Sequence, residues 1–157
     1  MTSQTQTQSE VAGDSQTASQ SRPPPTPQYD PGEAVMELRN AIKEQNETMI
    51  AFLLEEHSDI DLVNILYLNQ TPLQYAISNY QHAMIKYLLE NGADPDIPNE
   101  TGNTALHIAT LKGNKKAVEL LCTHNANKSI KNHDGETAMD IALEQDTKRH
   151  RDILFLL

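Results

Sequence analysis

The chain has 157 residues, a formal net charge of −10, one cysteine and no tryptophan. Its length allows one domain, and its acidity argues against binding to nucleic acid or to an anionic membrane, both of which need basic surface. The single cysteine, Cys122, excludes an internal disulfide, and the lack of a long apolar run or an apolar signal segment favours the cytosol or the nucleus.

Residues 1–32 are rich in Ser, Thr, Gln and Pro, and we predict that they form a disordered tail because they offer few apolar side chains to bury. Five Ser/Thr-Gln pairs in this tail resemble the clustered sites of DNA-damage checkpoint kinases, and one Thr-Pro pair suits a proline-directed kinase. Such pairs also arise by chance in a segment of this composition, so both interpretations stay open. The candidate phosphorylation sites are Ser3, Thr5, Thr7, Ser15, Ser19 and Thr26.

A short motif recurs along the rest of the chain at a spacing of 33 residues, beginning at Thr71, Thr104 and Thr137. A more diverged copy precedes these three, with Leu38 at the place that Leu73 takes in the next copy. We therefore predict a tail, residues 1–32, followed by one repeat domain, residues 33–157. Its four repeats, numbered 1 to 4 below, cover about 35–70, 71–103, 104–136 and 137–157.

Each repeat has the pattern of two helices followed by a turn. Thr71 suits an N-cap, Pro72 suits the first helical position, and Gln74 completes a Thr-x-x-Gln capping box. The second helix carries apolar residues at i, i+1, i+4 and i+5, which form one buried face. Gly92 then suits the left-handed conformation that ends a helix, as does its counterpart Asn125. Turns are predicted at 99–102 and 132–135.

This pattern resembles the ankyrin repeat. The Thr-Pro-Leu-His opening of that family appears as Thr71-Pro72-Leu73-Gln74 and Thr104-Ala105-Leu106-His107, and its leucines followed by Gly-Ala-Asp appear from Leu88 to Asp94. The resemblance covers roughly residues 31–157 and is strongest from 71 to 142. It implies an all-α fold, a solenoid of helix-turn-helix units with projecting β-turn loops.

The second helix of repeat 4 departs from the pattern. A strict alignment would bury His150 and Arg151, whereas two extra residues would place Ile153, Leu156 and Leu157 on the apolar face instead. We favour the second alignment. The stack would then end without a polar outer helix, so we expect this end to be covered by a partner, by self-association or by sequence beyond this chain.

The resemblance also implies that a protein partner binds the concave surface formed by the turn tips and the first helices. Tyr80, at the family's inter-helix Gly, and Leu111 are the strongest candidates, because large side chains at exposed helix ends are not explained by solubility. Any single position is also compatible with a solvated turn residue. The predicted partner-binding residues are Asn79, Tyr80, Asn99, Glu100, Asn103, Leu111, Lys112, Asn132, His133 and Asp134.

Charge differs between the repeats, since residues 33–70 carry eight acids and two bases, while residues 104–136 carry three acids and five bases. The acidic half would attract a partner with a basic segment, unless it only keeps the chain soluble. In fold and acidity the chain resembles inhibitors of the NF-κB type, which implies a regulator of a transcription factor. An adaptor or inhibitor is the first hypothesis, and a regulatory subunit or fragment of a ubiquitin ligase or GTPase-activating protein is the alternative.

Motifs for catalysis or metal binding do not stand out in the sequence. There is no His-x-x-x-His or Cys-x-x-Cys pair, no phosphate-binding Gly loop and no Gly-x-Ser-x-Gly turn. We therefore expect no enzyme activity, no cofactor and no metal. His107 is expected to bond local backbone, and Cys122, at a leucine position, to be an inert core thiol.

Overall fold

The computed structural model describes residues 31–145 and 147–157, within which eight α-helices follow one another in pairs. The helices are α1 (Pro31–Lys43), α2 (Glu47–Glu56), α3 (Pro72–Ser78), α4 (His82–Glu90), α5 (Ala105–Leu111), α6 (Lys115–Thr123), α7 (Ala138–Glu144) and α8 (Lys148–Leu154). Pro31 and Gly32 open α1, although the composition grouped them with the tail. The predicted disorder of residues 1–30 lies outside the described residues.

The first helices of repeats 2 to 4 each begin after a threonine, as the sequence predicts. Thr71 Oγ1 accepts the N–H of Gln74 at 3.2 Å, and Gln74 Oε1 accepts the N–H of Thr71 at 3.2 Å. This reciprocal capping box satisfies two N–H groups that would otherwise have no partner at the helix start. Thr137 and Asp140 form the same box in repeat 4. The local sequence therefore fixes where each first helix starts.

Left-handed residues separate the helices. Gly92 (φ 90°) and Asn125 (φ 60°) follow the second helices, which confirms their predicted role as helix stops. Gly113 (φ 61°) lies between the two helices of repeat 3, and Tyr80 (φ 58°) takes the same place in repeat 2. A side chain with a Cβ is strained in this conformation, at a cost of about 1–2 kcal/mol. Tyr80 therefore needs compensating contacts, which the next repeat supplies.

The helices stack in two layers. Each first helix packs on the first helix of the next repeat, and the second helices of repeats 2 to 4 pack in the same way. Ala76, Ala109 and Ala142 are buried where first helices meet, and only a small side chain lets two helices approach so closely. The core between the layers is aliphatic, with Leu38, Ile77 and Leu121 among its fully buried residues. The described part of the chain is therefore an all-α solenoid.

A side chain near the start of each of the first three repeats reaches the loop that leads into the next repeat. Arg39, Gln74 and His107 occupy equivalent positions in α1, α3 and α5, and each donates to a backbone carbonyl. The acceptors are Tyr67, Ile97 and Glu136, at 3.0, 2.8 and 3.1 Å. We call these three residues the clasps. The equivalent residue of repeat 4, Asp140, is a carboxylate that bonds its own helix cap.

The favoured alignment of repeat 4 is wrong for His150, which is buried. α8 begins after Thr147, 33 residues beyond the N-cap Asn114, so the strict spacing is kept there. His150 Nε2 donates to the Thr110 carbonyl at 2.9 Å, and its Nδ1 lies 2.6 Å from Thr147 Oγ1. An imidazole with both nitrogens bonded is tolerated in a core. Arg151 is exposed, and the three apolar residues pack against the core as predicted: Ile153, Leu156 and Leu157.

Candidate protein interface

Three loops lie side by side along the stack and are joined by hydrogen bonds. We call them finger 1 (residues 66–70), finger 2 (99–103) and finger 3 (132–136). The N–H of Glu100 donates to Asn69 Oδ1 at 2.6 Å, which joins fingers 1 and 2. The N–H of His133 donates to the Thr101 carbonyl at 3.1 Å, which joins fingers 2 and 3. The fingers thus form a continuous row that needs no partner to hold its shape.

Asparagines fix the shape of fingers 2 and 3, and both predicted turns are confirmed. Asn99 Oδ1 accepts the N–H groups of Thr101 and Asn103 at 3.0 and 2.9 Å. Asn132 makes the equivalent bonds in finger 3, is itself buried, and donates to Asn103 Oδ1 at 3.2 Å. Three of the predicted partner-binding residues therefore have their side chains engaged within the row. The other three finger residues of that set are exposed: Glu100, His133 and Asp134.

The remaining predicted residues meet at the ends of α3 and α5, and all four are exposed: Asn79, Tyr80, Leu111 and Lys112. The hydroxyl of Tyr80 donates to the Lys112 carbonyl at 2.9 Å, and Asn79 Nδ2 donates to the Tyr75 carbonyl at 2.8 Å. Tyr80 thus bridges two repeats, which compensates for its strained backbone and gives it a structural role. Leu111 remains an exposed apolar side chain at this corner.

Finger 1 was missed by the sequence reasoning, although it carries the most exposed apolar side chain of the row. Leu68 is 74% exposed at its tip, and Met36 of α1 is also exposed. Tyr67 and Gln70 exchange both backbone hydrogen bonds, so residues 68 and 69 form a tight hairpin turn. Sequence signals were present, since apolar residues stand where fingers 2 and 3 are polar. Finger 1 lies 33 residues before finger 2, but Leu66 and Asn69 stand where finger 2 has Asn99 and Gly102, so the Asn-x-x-Gly turn pattern is missing.

A groove of about 590 Å³ separates α1 from finger 1 and continues into a second hollow of about 260 Å³. The first is lined by Gly32, Glu33, Met36, Glu37, Asn40 and Tyr67. The second is lined by Met36, Arg39, Asn40, Lys43, Tyr67, Leu68 and Tyr75. The Arg39 guanidinium lies 4.3 Å from the centre of the Tyr75 ring while it bonds the Tyr67 carbonyl at 3.0 Å. Arg39 therefore holds finger 1 against the first helices.

The far end of the stack carries a second apolar surface, which we call the end face: Met139, Leu143 and Phe155. All three side chains are exposed. Met139 and Leu143 occupy the positions at which Leu106 and Thr110 of repeat 3 are covered by repeat 4. The end face is therefore the surface on which a further helix pair of the same kind would stack.

The titratable groups of the interior are few. Among the residues that the structure describes, no cluster of three or more His, Cys, Asp or Glu side chains could hold a metal ion. Burial raises the pKa of the Cys122 thiol, and its Sγ–H donates to the Leu156 carbonyl at 3.6 Å. Cys122 thus has the protonated, partly covered state of an unreactive thiol.

Two further predictions concern membrane insertion and phosphorylation. Over residues 31–145 and 147–157, no helix is long and apolar enough to cross a membrane. The six candidate phosphorylation sites, Ser3, Thr5, Thr7, Ser15, Ser19 and Thr26, lie outside the described residues, so their modification stays a prediction.

Comparisons with known proteins match the chain to a protein family and to solved structures. A family model described as ankyrin repeats (three copies) matches residues 38–132 and 91–157. A search of curated proteins finds no match. The crystal structure of the ankyrin repeat domain of Bcl-3, described as a unique member of the IkappaB protein family, is similar with a TM-score of 0.65 and 28% identity. The match covers 75% of this chain and 50% of that domain, so this chain spans about half its length.

Proposed function

The chain belongs to the ankyrin-repeat family, and from this membership we propose that it is an adaptor or inhibitor that binds a protein partner through its concave surface. Ankyrin repeats are protein-interaction modules. The concave surface consists of the three fingers and the exposed sides of the first helices. The observation that carries the proposal is the row of fingers, whose inter-finger hydrogen bonds fix its shape in advance. Such preorganisation lowers the entropy cost of binding.

We propose that the partner presents a basic segment. Exposed carboxylates lie on the first helix, directly after it and on the second finger, at Glu33, Glu44 and Glu100. Residues 33–70 carry eight acids and two bases, so their field attracts a basic chain and raises its association rate. Association should therefore slow as salt is added, because exposed charges are screened over about 8–10 Å at physiological ionic strength.

An affinity pull-down with mass spectrometry tests the proposal. The full chain serves as bait beside a surface variant, Glu100→Ala/Leu111→Ala/His133→Ala, and a control variant, Glu55→Ala/Lys86→Ala/Lys115→Ala. The control residues are exposed on the second helices. We expect a specific partner that the surface variant loses and the control variant retains, with both variants folded by circular dichroism. A partner lost only by the control variant would place binding on the other side of the stack.

A regulator of a transcription factor is the more specific form of this proposal. It is supported by the acidity of repeats 1 and 2 and by the likeness to a domain described as an IkappaB-family member. Such a role requires the cytosol or the nucleus. Isothermal titration of the full chain with a purified NF-κB dimer tests it, and an absence of binding at micromolar concentration would contradict it.

A second candidate function uses the end face. Met139, Leu143 and Phe155 form an exposed apolar surface, which self-association or a regulatory role in a larger enzyme would cover. Sedimentation of the full chain over a range of concentrations, beside Leu143→Glu, tests self-association. A mass that rises with concentration in the parent and not in the variant supports it. A parent that stays monomeric at all concentrations contradicts it.

A further inference from the structure

The three fingers differ in the chemistry that they present. Fingers 2 and 3 expose Glu100, His133 and Asp134, whereas finger 1 exposes Leu68. The side chain of Leu68 leaves 74% of its surface in water, so it contributes little to the core. An apolar side chain at the tip of a projecting turn has no evident function in folding.

The backbone at Leu68 makes this residue still harder to explain by folding. Leu68 has φ 49° and Asn69 has φ 63°, as in the two-residue hairpin turn that requires two left-handed residues. Asn tolerates this conformation, and Gly accepts it without strain, whereas the Cβ of a leucine is strained in it. Glycine or asparagine would therefore serve the turn better than leucine. Strain of this kind persists where a side chain is needed for binding.

Leu68 lines a groove that is apolar at its centre, acidic at one end and basic at the other, where Arg39 and Lys43 line it. Met36 and Tyr67 lie beside Leu68 at the centre. Glu33 and Glu37 line the end near the start of α1. They are four residues apart on one helix, which places their Cβ atoms about 6 Å apart. The groove thus combines an apolar contact with two neighbouring carboxylates.

The walls of the groove are held in place without a ligand. Arg39 bonds the Tyr67 carbonyl and stacks on the Tyr75 ring, so finger 1 is tied to both α1 and α3. Asn69 is tied to finger 2 through the Glu100 N–H. A partner would therefore meet a surface that is already formed, with Leu68 fixed at its rim.

From these observations we propose that the groove between α1 and finger 1 binds an extended peptide segment of the partner, with an apolar side chain against Leu68 and Met36 and a basic side chain against Glu33 and Glu37. This inference rests on the proposed function and assigns the main contact to a part of the concave surface outside the residues predicted from the sequence. Glu33 and Met36 are about one helical turn apart on α1, about 5 Å along its axis. An extended chain advances about 3.3 Å per residue, so the basic residue should lie about two to three residues from the apolar one once the reach of the side chains is included.

Selection from a displayed library of random peptides, with the full chain as target, tests this inference. We expect the selected peptides to share a Leu, Ile, Met or Phe with Lys or Arg two to three residues away. Selected peptides that are acidic, or that share no apolar residue, would overturn it, as would a selection that yields no binder.

Leu68→Gly separates binding from folding, because its two effects have opposite directions. Glycine relieves the strained backbone and removes the side chain, so the Tm should equal or exceed that of the parent. The affinity for a selected peptide, measured by fluorescence anisotropy, should fall about ten- to hundredfold, as for loss of one buried leucine. Unchanged affinity in this variant would overturn the inference. A change from oligomer to monomer in this variant, seen as a fall in the mass of the species in solution, would also overturn it. That result would assign Leu68 to a contact between two copies of the chain.

Glu33→Gln/Glu37→Gln tests the basic contact. This double variant should bind the selected peptide about two- to fivefold more weakly at low salt. The double variant and the parent should bind equally well to a peptide in which Lys or Arg is replaced by Gln. An equal loss of affinity for both peptides would contradict the pairing of the basic side chain with Glu33 and Glu37. Peptides sensitive to Glu100→Ala/Leu111→Ala/His133→Ala and insensitive to Leu68→Gly would leave the proposed function standing and overturn the groove.

Discussion

Repeats 3 and 4 begin with the same motif, but their first helices meet different surroundings. Leu106 and Met139 occupy equivalent positions, and their exposed fractions are 1% and 44%. Thr110 and Leu143 are likewise equivalent, with exposed fractions of 0% and 60%. Repeat 3 is covered on both sides and repeat 4 on one. The energetic weight of a position in this chain is therefore set by the neighbouring repeat as much as by its own sequence.

The largest expected effect compares Leu106→Ala with Met139→Ala. Leu106→Ala removes a fully buried side chain and should lower the free energy of unfolding by about 2–5 kcal/mol. Met139→Ala should lower it by less than about 1 kcal/mol, since the side chain already faces water. Urea unfolding followed by circular dichroism measures both. Equal losses would mean that the end face is covered in solution.

The next comparison concerns two finger glycines. A Cβ at Gly102 would lie 2.7 Å from the His133 ring and backbone, whereas one at Gly135 would meet nothing within 4 Å. Both have positive φ, so Gly135→Ala should cost about 1–2 kcal/mol through strain alone. Gly102→Ala adds overpacking and should cost about 1–3 kcal/mol more. Thermal unfolding of the two variants measures the difference, and identical Tm values would contradict the contact between fingers 2 and 3.

The clasps provide a third comparison, between His107 and Asp140. His107 is buried and bonds both its own N-cap and the loop that leads into repeat 4. His107→Ala should therefore cost about 1–3 kcal/mol, because it leaves buried groups without partners. Asp140→Ala affects one exposed helix cap and should cost less. The urea midpoints of the two variants test the order, and a reversed order would contradict the role of the clasp.

Cys122 reports on the last repeat alone. Its thiol is covered by the Leu156 carbonyl, and its pKa is raised by burial. Opening of α8 should therefore limit its reaction with a thiol reagent. Ile153→Ala should speed labelling at pH 8 by about tenfold or more, while Leu38→Ala in repeat 1 should change it less. Equal acceleration by both variants would mean that the stack opens only as a whole.

The smallest expected effect is a pH dependence at Asp140. Hydrogen bonds from Thr137 lower the pKa of this carboxyl, so its folded pKa lies below the unfolded value of about 3.9. Its contribution to stability is then present above about pH 4 and is lost as the pH falls through the folded pKa. Asp140→Asn should be less stable than the parent at pH 6, and this difference should shrink toward pH 3. A difference that stays constant over that range would contradict the shift.

The repeat period, the caps and the turns were predictable because they depend on residues close in sequence. Thr71 with Gln74 and Asn99 with Gly102 each close a local ring of hydrogen bonds, whatever surrounds them. The strict 33-residue spacing indicated the burial of His150, but the acceptor that makes a buried imidazole tolerable, the Thr110 carbonyl, lies 40 residues away and is not visible in the local sequence.

The predicted partner-binding residues were likewise affected by contacts between residues that are distant in sequence. Asn132 was assigned to partner binding from its place in the turn, and the structure engages its side chain in bonds to finger 2 and to its own finger. Finger 1 escaped notice because it lacks the Asn-x-x-Gly pattern that marks the other two turns. Its apolar tip becomes meaningful only when Met36, distant in sequence, is seen across the groove. Whether the predicted residues or the groove bind the partner is decided by the experiments above.

The clasps also give the stack a mechanical direction. Arg39, Gln74 and His107 each reach from one repeat to the loop that follows, so every junction is fastened from its N-terminal side. A force applied to Leu157 would detach α8 first, since the main contacts of α8 are with α6 and α7 alone among the described helices. Each later step would have to break one clasp before the next helix pair separates. In an optical trap the chain should therefore lengthen in steps as the repeats unfold from the C-terminal end, and repeat 1 should unfold last.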